Sequence, residues 1–259
     1  MPVFAANLTM LFTEVPFLDR FALAREAGFK FVEYLFPYEY TAAEIRQRLG
    51  QNGLRQVLFN LPCGDWAGGD RGIAANPNRV NEFRTGVAKA VDYALGLGVP
   101  TLNCLAGKRV PGVDEATHRA TFVANLKYAA RMLAAKELRL VMEPINHYDM
   151  PGFWLNRTDQ ALALLEEAGE PNLSIQFDVY HAQREEGELT ATLRNHLARI
   201  GHIQVADNPG RHQPGTGEIN YAFLFRELDR LGYQGYVGLE YVPTPDSRSS
   251  FGWIKAMGY

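Results

Sequence analysis

The chain has little of what would make it secreted, membrane-spanning or nucleic-acid-binding. Only two cysteines, Cys63 and Cys104, occur in 259 residues, with no CxxC and no zinc-type spacing. That excludes a disulfide scaffold and a structural zinc site, and leads us to expect a reduced, cytoplasmic protein. Basic residues are not in excess: 26 Lys and Arg face 29 Asp and Glu, for a net charge of −3. A nucleic-acid or anionic-membrane partner wants a basic face, so neither is expected. No apolar run approaches the roughly 20 residues that span a bilayer. The opening MPVFAANLTMLFTEVPF lacks a basic leader and carries Asn7, Thr9 and Glu14, so it reads as a first strand and not as a signal peptide. No Pro- or Ser-rich linker divides residues 1–259, which points to one domain. The GDWAGGDRG stretch has neither GxGxxG nor GxxxxGK[ST], and so reads as a flexible loop over a substrate and not as a phosphate cradle.

What the chain does have is alternation. Short β-rich runs bounded by turn residues recur between helix-period stretches along its whole length, as in parallel βα units. Eight strands are predicted at Val3–Asn7, Phe31–Leu35, Arg55–Asn60, Pro100–Cys104, Arg139–Glu143, Leu173–Asp178, Ile200–Val205 and Tyr236–Glu240. Helices are predicted over Val15–Ala27, Thr41–Gln51, Asn78–Leu97, Asp114–Ala135, Thr158–Ala168, Glu188–Leu197 and Tyr221–Leu231. Thr41 with Glu44 forms a capping box, and glycines 28, 53, 98, 169 and 232 fall where helices should stop. Eight such units in about 250 residues make a (β/α)8 barrel, whose active site is built by the loops after the strands. Three of those loops are long: 61–77, 144–157 and 206–220.

Four strand ends carry the chemistry. Glu143, Asp178, Gln204 and Glu240 close successive late strands, so their side chains should converge at the barrel mouth. Three carboxylates and an amide oxygen suit a hard divalent cation such as Mg2+ or Mn2+. Without a cation, clustered carboxylates raise one another's pKa, which suits proton transfer. Taken singly, Asp178 reads as a helix N-cap and Glu143 before Pro144 as a strand terminator; repetition in four units favours function. His181 falls in the loop after Asp178 and offers either a ring nitrogen or a solvated side chain. His202 lies on the strand of Gln204, deeper, where a core role competes. Arg211 matches a substrate carboxylate as well as it suits an exposed loop, whereas for Lys108 the exposed reading prevails. Phe36, Trp66, Tyr148, Phe153 and Trp154 are candidates to wall a pocket, and Cys104 reads as packing. The tail 251–259 is apolar and aromatic, suited to covering a second subunit or its own barrel floor.

With these residues in view, the chain resembles the hydroxypyruvate isomerase family, within the xylose-isomerase-like barrels, over nearly its full length. The likeness rests on FAANLTMLFTE, EYLFPYEY, NLPCGDWAGGDRGIA, LNCLAGK, EPINHYDMPGF, QFDVYHAQREEGELT, HIQVADNPGRHQPGTGEINY and GLEYVP. It implies interconversion of hydroxypyruvate and 2-hydroxy-3-oxopropanoate, a place in glyoxylate metabolism, and Glu143 and Glu240 as the acid–base pair. It also implies a divalent metal on Glu143, Asp178, Gln204 and Glu240, with His181 and Arg211 touching substrate. Many relatives have histidine where this chain has Gln204, which puts metal retention in question. The same resemblance leaves a 2-oxo-tetronate isomerase as the nearest alternative. Behind it stand a ketose epimerase, a metal phosphoesterase of the endonuclease kind and a sugar-acid binding protein. An organic cofactor is not expected.

Overall fold

A computed structural model describes all of residues 1–259. Its eight strands are β1 (Val3–Asn7), β2 (Phe31–Glu33), β3 (Arg55–Asn60), β4 (Thr101–Cys104), β5 (Arg139–Met142), β6 (Leu173–Asp178), β7 (Ile200–Val205) and β8 (Tyr236–Leu239). Each pairs in parallel with the next and β8 returns to β1, closing the barrel. The helices outside it are α1 (Arg20–Glu26), α2 (Ala42–Asn52), α3 (Val80–Leu97), α4 (Glu115–Ala134), α5 (Thr158–Ala168), α6 (Val179–Glu185), α7 (Leu189–His196), α8 (Tyr221–Arg230) and α9 (Gly252–Ala256). The capping box forms as expected: Glu44 N–H donates to the Thr41 hydroxyl and Thr41 N–H to the Glu44 carboxylate. Gly53 and Gly98 end α2 and α3 with φ of 60° and 71°, the left-handed region that glycine enters without a Cβ clash.

Two local expectations change. The first helix does not run from Val15: a residue before proline is disfavoured in helical backbone, Pro16 itself is extended with ψ 148°, and a 3-10 turn at Phe17–Asp19 leads into α1. The stretch after β6, expected as loop, is helical from Val179, with the Asp178 carboxylate accepting from Tyr180 N–H at 2.8 Å as its N-cap.

The barrel interior is layered. Near the strand starts Ala5, Val57, Leu58 and Val141 form an apolar plug, with Phe31 and Tyr236 packed beside it, their rings tilted at 48° with centroids 4.8 Å apart. Above it the lining turns polar. Gly238 makes room there: a Cβ at that position would meet the Glu33 carboxylate at 2.2 Å. A much larger apolar core fills the space between strands and helices. Trp253 and Tyr259 of the tail pack on Phe4, with ring centroids 5.3 and 5.9 Å away. The tail thus covers its own barrel wall. No helix is long and apolar enough to cross a membrane.

Candidate active site

The four strand-end residues are buried at the carboxyl end of the barrel: Glu143, Asp178, Gln204 and Glu240 expose 4, 2, 0 and 6% of their surface. Glu143 and Glu240 sit one residue beyond β5 and β8 and still point inward. Asn103 Nδ2 donates to Glu143 at 2.8 Å. Glu240 accepts from Arg211 at 2.6 Å on one oxygen, and on the other from Gln204 at 2.5 Å and Asn7 at 3.3 Å. Burial pushes the Glu143 pKa well above the usual carboxylate range, helped by the charges of Glu240 and Asp178. Burial raises Glu240 to about 8, with Arg211 acting against it. Asp178 is raised as well, again by burial first and against the pull of Arg211.

Arg211 reaches this cluster because its loop is tightly organised. The buried Asp207 carboxylate accepts from the N–H groups of Gly215 (2.8 Å), Thr216 (3.0 Å) and Ile219 (3.1 Å). Arg211 itself takes a left-handed backbone, φ 56°, and its carbonyl is held by Val242 N–H at 2.8 Å. The guanidinium lies 3.6 Å from Asp178 and 5.2 Å over the Tyr180 ring. His181 is in the first turn of α6, buried, with Nε2 3.6 Å from Asp178 Oδ2. The ring stays neutral: burial, with Arg211 and Arg184 nearby, pushes its pKa well below the ordinary value.

Other expectations resolve differently. Lys108 is exposed and its ammonium donates to the Gly69 carbonyl at 3.2 Å. It fastens the glycine-rich loop and leaves the carboxylate-anchor role to Arg211. That loop is pinned at its base by Gly72 N–H to Cys63 O and Ala75 N–H to Ala106 O, and its tip is tied by Asp65 N–H and Arg79 to the Asp70 carboxylate. His202 is a core residue, bonded to Glu33 at 2.7 Å. Cys104 is packing: fully buried, its thiol pushed up by burial.

Gln204 departs furthest from expectation. Its amide donates to Glu33 at 2.7 Å and to Glu240, while its oxygen accepts from Gln176 at 2.6 Å. Turning the amide over would set its oxygen against two carboxylates. Gln204 is therefore a clamp on Glu240 and does not present an oxygen to a cation. Arg211 already places a positive charge between Glu240 and Asp178, which disfavours a second cation there. The buried, unpartnered Asp178 Oδ2 is a free ligand atom, and Glu143, Asp178 and His181 each offer one atom within 4.8 Å of the others. That leaves two carboxylates and a histidine, and the residues present do not fit the four-ligand divalent site that the sequence led us to expect.

Further orphaned polar atoms line the mouth. Asn60 Oδ1, Asn103 Oδ1 and Arg211 Nε are buried without partners, and Asn60 and Asn103 are register neighbours on β3 and β4. Buried polar groups in native proteins are normally satisfied, so these unpartnered atoms beside an arginine are left to bond a polar ligand. A cavity of about 770 Å3 opens at the opposite end, lined by Val57, Thr101, Arg139, His202, Tyr233 and Tyr236. It lies below the apolar plug and away from the carboxylate cluster, so it is not the reaction site.

Two buried, inward-facing glutamates with raised proton affinity, and a guanidinium lying between carboxylates, make a site suited to acid–base chemistry at the mouth of a barrel. The chain belongs to the xylose isomerase-like TIM barrel family, whose profile it matches over residues 21–257. Within it the chain falls among the hydroxypyruvate isomerases and their near relatives. It is 50% identical to the hydroxypyruvate isomerase of Escherichia coli strain K12, covering 97% of each chain. It is 48% identical to the 2-oxo-tetronate isomerase of Cupriavidus necator, covering 98% of each. A crystal structure titled AP endonuclease, family 2, from Brucella melitensis superposes with a TM-score of 0.96 at 44% identity over 99% of both chains.

Proposed function

We propose that the protein interconverts hydroxypyruvate and 2-hydroxy-3-oxopropanoate by proton transfer between Glu240 and Glu143. The observation that carries this reading is the pair of buried glutamates, both with raised proton affinity, with the charge of Glu240 acting on Glu143 and that of Asp178 acting on both. Arg211 donates directly to Glu240 and opposes the effect of its burial, so Glu240 is the group that ionises to serve as base; Glu143, without that contact, holds the proton. Glu240 removes a proton from C3, the hydroxyl-bearing carbon, and the electron pair moves to give a C2–C3 enediolate. Glu143 delivers its proton to C2, and the hydroxyl proton passes from the C3 oxygen to the C2 oxygen, leaving the aldehyde. Arg211 binds the substrate carboxylate through the part of its fork that Glu240 does not use, and His181 Nε2–H donates to the C2 oxygen. Fixed donors aimed at developing charge are the usual source of such stabilisation.

A four-carbon substrate uses the same steps, and the 2-oxo-tetronate isomerase relative at 48% identity favours that second reading. The endonuclease-titled neighbour does not carry its chemistry over, because the chain holds one small cluster of ligating side chains and has no excess of basic residues. A reducing cytoplasm suits both free, buried cysteines. Purified protein assayed on hydroxypyruvate and on 2-oxo-tetronate, before and after exhaustive chelation, tests the assignment. Because Arg211 and His181 supply the stabilisation, chelation should change turnover on the preferred substrate by less than about twofold. Loss of turnover on chelation, restored by Mg2+ or Mn2+, would reject this scheme. A kcat/KM higher on 2-oxo-tetronate by about 10–200-fold, the range one extra carbon commands, would replace the substrate and keep the mechanism.

A further inference from the structure

We infer that Asn146 is a positioning residue that fixes the tautomer of His181, holding the ring proton on Nε2 so that the imidazole donates to substrate and cannot ligate a metal. Asn146 is fully buried and His181 nearly so, with 0 and 3% of their surfaces exposed. Asn146 Nδ2 lies 2.6 Å from His181 Nδ1. An amide can usually be turned over, which would offer the ring an acceptor instead. Here it cannot, because Asn146 Oδ1 accepts the backbone N–H of Asp149 at 2.9 Å and Nδ2 also reaches Asp149 Oδ2 at 3.2 Å. The turned amide would set N–H against N–H and oxygen against carboxylate. Asp149 is itself held by an ion pair to Arg184, whose guanidinium also donates to the Tyr180 hydroxyl at 2.8 Å.

The consequence follows from counting protons. Only a lone pair on Nδ1 can accept from Asn146, so the neutral ring carries its single hydrogen on Nε2. That nitrogen points toward Asp178 Oδ2, but at 3.6 Å the two do not form a full hydrogen bond. Asp178 Oδ2 has no other partner. A donor and an unpartnered acceptor therefore stand 3.6 Å apart, and a hydroxyl or enediol oxygen seated beside them satisfies both. The same proton removes His181 from the set of metal ligands that its position beside Glu143 and Asp178 would otherwise complete.

The donor role rests on the proton-transfer reading above; the tautomer does not. Long-range 1H–15N correlation spectra of the full chain, labelled at histidine nitrogens, read the tautomer directly, with H181Q identifying the signal. In the wild type Nε2 should appear protonated and Nδ1 bare. Asn146→Asp replaces the amide donor by an acceptor and should invert that pattern, with kcat falling about 10²–10³-fold while KM changes far less. A wild-type spectrum with Nδ1 protonated overturns the proposal however the variant behaves, as does an Asn146→Asp protein that keeps the Nε2 proton. Inversion of the tautomer without loss of kcat overturns the donor role and, with it, the part given to His181 in the reaction.

Discussion

Glu240→Gln lowers kcat on hydroxypyruvate by about 10²–10⁴-fold, the range a positioned acid or base contributes, and Glu143→Gln does the same. Glutamine keeps the volume and the hydrogen-bonding shape at each site, so circular dichroism and the melting temperature should stay near wild type. The two variants differ in pH dependence. With Glu240 held at about 8 by burial, wild-type kcat/KM rises with pH as this base ionises and falls as Glu143, raised well above the usual carboxylate range, loses its proton. Glu240→Gln removes the rising limb; Glu143→Gln removes the falling one. Activity within tenfold of wild type in either variant would show that the carboxylate concerned does not move the proton.

Arg211→Met is expected to be nearly as severe, for a different reason. The guanidinium is about one-fifth exposed and lies 2.6 Å from Glu240 and 3.6 Å from Asp178. Its removal leaves buried carboxylates with no cation, and breaking such a pair costs about 3–5 kcal/mol when the remaining charge stays. The carboxylates escape much of that cost by taking up protons. Glu240 then moves still higher than about 8, so less base is present at neutral pH, and the substrate loses its carboxylate anchor. We expect kcat/KM to fall about 10³-fold, the rising limb to move up in pH, and KM to climb. Lysine at this position keeps the charge but loses the planar fork, so it should restore the limb more fully than it restores KM. An unshifted limb in Arg211→Met would remove Arg211 from the electrostatics of the pair.

Stability carries the same signature. Glu240, ordinarily near 4.5, is raised to about 8 in the fold, and Glu143 and Asp178 are raised too. Folding therefore takes up protons: the stabilising effect is complete below the unfolded pKa and is lost as pH rises through the folded one. In Arg211→Met, which lifts these groups further, the loss of stability with rising pH should be steeper than in the wild type.

Much of this was legible in the sequence because strand periodicity and strand-end chemistry are local. All eight strands were found, and Glu143, Asp178, Glu240 and Arg211 do meet in space. What escaped was set by long-range packing. Asn7, Asn60 and Asn103 sit at or near strand ends, just as the late-strand residues do, and Glu33 ends β2. The same reasoning extended to the first four strands would have found the residues that hold Glu240 and Glu143. The orientation of Gln204 could not be read that way, because it depends on Glu33, 171 positions distant in the chain. Its amide follows the carboxylates around it and not the ligand role that its strand-end position implies. His181 reads as a loop residue because a seven-residue helix such as α6 leaves almost no periodic signal, although the sequence does show its N-cap, Asp178.

In the proposed reaction a proton leaves one carbon of the substrate and a different proton arrives at its neighbour. Running the isomerisation in deuterated water and reading the product by NMR tests this directly. Glu143 exchanges its proton with solvent between turnovers, so the product should carry solvent deuterium on C2. Product that retains the substrate's own hydrogen at C2, with no label from solvent, would contradict transfer between two glutamates.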